Sequence, residues 1–255
     1  MDAARVAAFR KKLDATGVYG PFSKTEDPAF IECMGHAGFD FCIIDLEHGP
    51  NSIRSAQDLV RAAELSGLLP IVRMPEEAHN RIGAALDIGA AGVQIPQVTT
   101  AEAARDAVRH ARYAPLGMRG VCRYVRNARY SATSKSDYFT AANDALVIVQ
   151  LEGREALDNL DDILGVDGID ILFIGPYDLS QSLGVTGQTQ HPEVVATVER
   201  ITARCRERGL AVGTFVESPE DARKWHARGV RYLCYAVDVG IFYSACRDIA
   251  TALQG

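Results

Sequence analysis

The sequence predicts an α/β protein built as a (β/α)₈ TIM barrel, and three observations carry that reading. Short runs of β-branched and aromatic residues alternate with longer segments of helical periodicity, glycines fall where helices should stop, and unusual polar residues collect at the ends of the apolar runs.

The strand-like runs are Val18–Ser23, Phe41–Asp45, Pro70–Arg73, Gly92–Pro96, Leu146–Glu152, Ile169–Ile174, Ala211–Phe215 and Tyr232–Val237. Helical patterns lie between and after them at about Pro28–Ala37, Ser52–Ser66, Glu77–Ile88, Thr100–Ala111, Glu155–Leu164, Pro192–Arg208, Pro219–Ala227 and Gly240–Leu253. Gly38, Gly67, Gly89, Gly209 and Gly229 follow helical segments where a left-handed residue ends a helix. Eight such units in 255 residues fit one barrel domain, residues 1–255. A doubly wound open sheet competes, but no strand–GxGxxG–helix signature favours it. Residues 112–142 form an arginine-rich insertion between the fourth and fifth strands, expected to be irregular and functional.

Bulk properties narrow the function classes. At 47% hydrophobic the chain can bury a full core, and its formal charge of −6 offers no basic footprint for nucleic acid or anionic membrane. No apolar stretch is long enough to span a bilayer. The segment from Met1 to Ala15 interleaves charges with apolar residues, as an amphipathic opening helix does and a secretory signal does not. Six scattered cysteines without a CxxC pair fit reduced thiols in a cytoplasmic protein. The expected partner is a small molecule.

In a barrel of this kind, catalytic groups sit at the C-terminal ends of the strands. The second strand ends at Asp45 and runs into Leu46-Glu47-His48-Gly49-Pro50; the third ends on Arg73 and the fifth on Gln150-Leu151-Glu152. The sixth leads into Gly175-Pro176-Tyr177-Asp178, the seventh is followed by Glu217 and the eighth by Asp238. One acidic residue at a strand end is commonly a helix cap or a solvated charge, whereas several around one mouth point to a site. Glu152 and Asp178 are 26 residues apart, about one strand–helix repeat, so both should project into that mouth. Two such carboxylates repel and lose solvation, which a divalent cation relieves; an oxygen-rich site suits Mg²⁺, Mn²⁺ or Co²⁺.

His48, released by Gly-Pro just past a strand end, is the candidate general base. His36, His79, His110, His191 and His226 are expected on the surface. Arg73 is placed to stabilise a developing enolate oxygen. The backbone around Gly175 and Pro176, near a helix start, suits a small carboxylate. In the insertion, Arg123 and Arg126 are expected to bind an anionic group of the substrate, because guanidinium clusters in an acidic protein suit carboxylate or phosphate capture.

Taken together, Asp45-Leu-Glu-His-Gly-Pro50, Val72-Arg-Met-Pro75, Leu86-Asp-Ile-Gly-Ala90, Gln150-Leu-Glu152 and Phe173-Ile-Gly-Pro-Tyr-Asp-Leu-Ser180 resemble the class II, metal-dependent pyruvate aldolases of the 4-hydroxy-2-oxoheptanedioate and 2-dehydro-3-deoxyglucarate aldolase type. The resemblance covers nearly the whole chain. It implies a hexamer made of two trimers that exchange their last helix, and a divalent metal on Glu152 and Asp178 that holds pyruvate. It further implies proton transfer by His48 paired with Asp87, enolate stabilisation by Arg73, and Gln150 beside the metal or its water. Where the family commonly has a Val-Gly-Val-Asp type of sequence, this chain has Tyr235-Ala-Val-Asp238, a bulkier set expected to reshape the acceptor pocket.

The leading expectation is therefore a carbon–carbon lyase cleaving a 4-hydroxy-2-oxo acid to pyruvate and an aldehyde through a metal-stabilised enolate. The same scaffold admits a synthase, such as a siderophore-type citrate synthase condensing acetyl-CoA with oxaloacetate. A barrel without catalysis, serving as a binding subunit, is disfavoured by the intact His48, Arg73, Glu152 and Asp178.

Overall fold

The computed structural model describes residues 2–75 and 81–255. Eight parallel strands close into a barrel in sequence order: β1 (Val18–Ser23), β2 (Phe41–Asp45), β3 (Leu69–Arg73), β4 (Gly92–Ile95), β5 (Leu146–Leu151), β6 (Ile171–Ile174), β7 (Ala211–Val216) and β8 (Tyr232–Val237). Around them run α1 (Ala3–Thr16), α2 (Pro28–His36), α3 (Ile53–Ser66), α4 (Ile82–Asp87), α5 (Ala101–Ala111), α6 (Lys135–Ala141), α7 (Arg154–Asp158), α8 (Leu160–Leu164), α9 (Pro176–Ser182), α10 (Pro192–Glu207), α11 (Pro219–Ala227) and α12 (Asp238–Gln254). His79 and the start of the helix expected from Glu77 lie outside the described residues.

The two-residue period of a strand sorts side chains between two cores. In β2, Phe41 and Ile43 point into the barrel while Cys42 and Ile44 face the surrounding helices. Leu69 and Ile71 of β3, Leu146 and Ile148 of β5, and Ile171 and Phe173 of β6 share the interior. Continuing that parity by two residues turns Asp45, Arg73 and Gln150 inward at the C-terminal end, so the pattern that fills the core also aims the polar groups into the mouth. The opposite end is plugged by α1, whose helix is capped by the Asp2 side chain on the Ala4 N–H at 3.0 Å. Its Val6, Phe9 and Leu13 are buried with the barrel interior, and Phe9 meets Phe41 edge-on at 6.0 Å.

The five glycines at helix ends all have positive φ, from 67° at Gly209 to 102° at Gly89. The helix expected over Glu155–Leu164 is divided at Asn159, which has φ −96° and ψ 10° between α7 and α8 and donates its side-chain amide to the Thr99 carbonyl at 2.9 Å. Residues 112–142 are more ordered than expected: they hold a 3₁₀ segment at Arg126–Ser131, the helix α6, and a small core of Tyr113, Ala128, Tyr138 and Ala142. Their position also differs. The segment follows α5 and leads into β5, so it lies at the N-terminal end of the barrel and away from the mouth.

Among the described residues no helix is long and apolar enough to cross a membrane. All six cysteines are unpaired, with Cys42, Cys205 and Cys234 buried.

Candidate active site

The register of the barrel sets Asp45 beside Arg73 and Arg73 beside Gln94 at the ends of β2, β3 and β4. Arg73 answers Asp45 with a two-pronged hydrogen bond, Nε to Oδ1 at 2.9 Å and Nη2 to Oδ2 at 2.7 Å. Its Nη1 lies 2.9 Å from Glu47 Oε2, and its guanidinium stacks 4.7 Å from the centre of the Phe22 ring. Burial alone would raise the Asp45 pKa, but the Arg73 hydrogen bonds and charge, with the N–H groups of Glu47 and His48, hold it below the ordinary carboxylate range. Glu47 goes the other way: burial raises it, Asp45 and Asp178 add to the rise, and the charges of Arg73 and His48 offset it only in part.

Glu152 follows β5 directly and is buried. Its Oε2 accepts the Gln97 N–H at 3.1 Å, and its Oε1 accepts from the Gln150 amide, whose own oxygen accepts from Gln94. Burial pushes Glu152 up to about 7, with the charges of Asp178 and Glu47 adding to the rise and the Gln150 and Gln97 donors opposing it. Gly175 makes room for this carboxylate, because a Cβ there would lie 2.9 Å from both Glu152 Cγ and Oε1. The Gly175 N–H is spent on Leu151 O at 3.1 Å and Pro176 has none, so the donors expected from this pair are not free for a ligand. In the first turn of α9 the N–H groups left for one are those of Tyr177 and Asp178.

Glu152, Asp178, Arg73, His48 and Gln150 line one cavity of about 360 Å³ at the mouth, walled on its apolar side by Phe22, Phe173 and Phe215. The His48 side chain is 60% exposed, with Nε2 3.9 Å from Glu47 Oε2. Glu152 and Asp178 are the pair that could hold a cation. Among the described residues no group of three His, Cys, Asp or Glu converges, so water or substrate oxygen would complete the coordination.

Other expected positions fall elsewhere. Asp87 ends α4 at the N-terminal side of the barrel, where it takes a hydrogen bond from Arg119 at 2.6 Å; within one chain it is remote from His48. Arg126 donates to Glu64 and, at 3.0 Å, to the Ile88 carbonyl, and Arg123 donates to the carbonyls of Ser131 and Thr133. Both therefore brace the insertion within this chain, instead of reaching the cavity as expected. Tyr235 packs against the outer core, and of this stretch it is Val237 that borders the cavity, so the bulkier Tyr235-Ala236 pair does not itself line the pocket it was expected to reshape.

Sequence reasoning missed Gln94, Gln97 and Lys24. A glutamine in a strand as short and apolar as Gly92–Ile95 is the signal that could have found Gln94. It also left Asp238 without a role: this buried carboxylate accepts from Ser23 Oγ at 2.8 Å, from the Lys24 and Thr25 N–H groups and from the Thr25 hydroxyl, tying the end of β8 to the loop after β1.

A closed parallel barrel with carboxylates, an arginine and a histidine around a mouth cavity is the arrangement of a barrel enzyme. The chain belongs to the HpcH/HpaI aldolase/citrate lyase family, whose model matches residues 19–245, and it is an aldolase-type lyase. It is 37% identical over 250 residues to the hydroxypyruvate/pyruvate aldolase of Roseobacter denitrificans, covering 97% of each chain. It is also 37% identical to the 4-hydroxy-2-oxo-heptane-1,7-dioate aldolase of Escherichia coli, covering 86% of this chain and 84% of that one. Among solved structures, the citrate synthase SbnG is similar with a TM-score of 0.86 and 32% identity, covering 96% of this chain and 97% of that chain.

Proposed function

We propose that this enzyme cleaves, and in reverse forms, 4-hydroxy-2-oxo acids, giving pyruvate and an aldehyde. The observation that carries this reading is the convergence of Glu152, Asp178, Arg73 and His48 on one cavity. A divalent ion (Mg²⁺, Mn²⁺ or Co²⁺) held by Glu152 and Asp178 would supply Lewis acidity toward the 2-oxo group. The fit rests on the donors present: two carboxylates face one space, and Glu152 is costly to ionise there without a counter-charge.

His48 accepts the proton of the C4 hydroxyl as the C3–C4 bond breaks. The aldehyde leaves, the electron pair stays on the pyruvate enolate, and His48 gives the proton it took to C3, which completes the methyl group of pyruvate. Two of the five N–H donors of Arg73 are spent on Asp45, which leaves those of Nη1, ion-paired with Glu47, and one of Nη2 for the enolate oxygen. Gln150, held between Gln94 and Glu152, keeps the Glu152 carboxylate oriented toward the cavity.

The proposal extends to assembly as a hexamer of two trimers. α12 is its main support: along this 17-residue helix Phe242, Tyr243 and Leu253 are exposed, Leu253 to 82%, more apolar surface than a lone helix keeps in water. A His48–Asp87 pair would then form between neighbouring copies, since the two residues lie at opposite ends of one barrel. Light scattering of the purified protein tests the assembly. Unpaired cysteines suit a reducing compartment such as the cytoplasm.

The similarity to a citrate synthase keeps a second reading on the same enolate chemistry. Pyruvate release from a panel of 4-hydroxy-2-oxo acids, run beside thiol release from acetyl-CoA with oxaloacetate, tests the two. Thiol release without pyruvate release would replace the aldolase reading.

A further inference from the structure

We infer that Lys24 selects the acceptor, its ammonium receiving a carboxylate at the far end of the aldehyde that leaves or enters the mouth cavity. This rests on the aldolase reading above. Lys24 borders the same cavity as His48, Arg73 and the two carboxylates, and among the described residues it is the one cation there besides Arg73. Arg73 is already engaged by Asp45 and Glu47. Lys24 is not. Its Nζ stands 4.0 Å from Asp45 Oδ2, beyond hydrogen-bond reach. The charge of Asp45 is moreover already answered by Arg73, whose Nε and Nη2 hold its two oxygens, while the N–H groups of Glu47 and His48 add to Oδ1 at 3.0 and 3.3 Å. The ammonium, on a side chain 31% exposed, thus keeps its donors for an anion in the cavity.

The backbone that carries this lysine is fixed. The Lys24 N–H is shared by both oxygens of buried Asp238 at 3.1 and 3.0 Å, the Lys24 carbonyl accepts from Asn51 Nδ2 at 3.4 Å, and Ser23 and Thr25 bind the same Asp238. A cation on a fixed backbone, in a cavity walled by Phe22, Phe173 and Phe215, suits an acceptor whose short carbon body lies on the rings and whose carboxylate meets the ammonium. The cluster Arg119, Arg123 and Arg126 cannot serve this purpose within the chain, since it lies at the other end of the barrel.

The test compares glyoxylate, the shortest carboxylate-bearing aldehyde, with neutral glycolaldehyde as acceptors for pyruvate, in metal-supplemented wild type, Lys24→Met and Lys24→Arg. Rates are normalised to each protein's own exchange of pyruvate methyl protons. In Lys24→Met the ratio of kcat/KM for glyoxylate to that for glycolaldehyde should fall about tenfold or more, as loss of one charged hydrogen bond would give, and Lys24→Arg should recover most of the ratio. An unchanged ratio, or an equal fall with both aldehydes, overturns the assignment while the aldolase reading stands. Absence of pyruvate proton exchange in the wild type overturns the aldolase reading and Lys24's role with it.

Discussion

Arg73 and Asp45 face each other from adjacent strands in register and form a buried two-pronged pair, at 2.9 and 2.7 Å. Such a pair is costly to break from one side, because the surviving charge is left in a poorly solvated site. Asp45→Ala should therefore lower the unfolding free energy by about 3–5 kcal/mol, measured by urea denaturation. Its activity should fall as well, since Arg73 loses the partner that orients it. A variant as stable as the wild type would show that Arg73 is held by other contacts.

Asp45 and Glu152 make opposite contributions to pH dependence. Asp45, held low, stabilises the fold above the ordinary carboxyl range, and that contribution is lost as the pH falls through its depressed pKa. Glu152 stands at about 7, so between an unfolded value of about 4.3 and that pH the folded state binds the extra proton. Its effect is to lower stability as the pH rises through this window, by at most roughly 4 kcal/mol. In chelator-treated protein the thermal midpoint should drop over that range, Glu152→Gln should flatten the drop, and adding Mn²⁺ at pH 8 should restore the wild type. An identical slope in Glu152→Gln would assign the effect to another group.

The barrel was legible because each strand and most helices carry local signals: alternation, Pro at helix starts, Gly at their ends. Site residues aimed by strand parity, such as Arg73 and Gln150, were legible for the same reason. The insertion was misjudged through its direction. Counting from the fourth strand hides the fact that α5 intervenes and returns the chain to the opposite end, which removes Arg123 and Arg126 from the mouth. Lys24 escaped notice, and Asp238 was left without a role, because their relationship joins the loop after the first strand to the last strand end, a closure of the ring that no local pattern announces.

His48 has the most exposed side chain of the proposed catalytic groups, so its chemistry separates cleanly from its packing. His48→Ala should reduce exchange of pyruvate methyl protons by about 10²–10⁴-fold, the usual worth of a general base, with a thermal midpoint close to that of the wild type. Deuterium uptake followed by NMR reads the exchange step alone. Wild-type exchange in the folded, metal-loaded variant would place the base elsewhere.

Ala236 carries the strain of a local irregularity in β8. Pairing with β1 runs Gly20 to Cys234 and then Phe22 to Val237, so three residues of β8 span two of β1. The extra residue bulges, Ala236 takes φ 52°, and Val237 is turned to border the cavity. A left-handed conformation costs a non-glycine residue roughly 1–2 kcal/mol, whereas glycine adopts it freely and gives back about 0.4–1 kcal/mol through the greater freedom of the unfolded chain. Ala236→Gly should consequently raise stability by roughly 0.5–1 kcal/mol, and Ala236→Val should lower it, because a β-branched side chain tolerates positive φ least. Denaturant unfolding of the three proteins checks the order. If Ala236→Gly is the less stable, backbone relief at the bulge is smaller than the entropy that glycine adds to the unfolded chain.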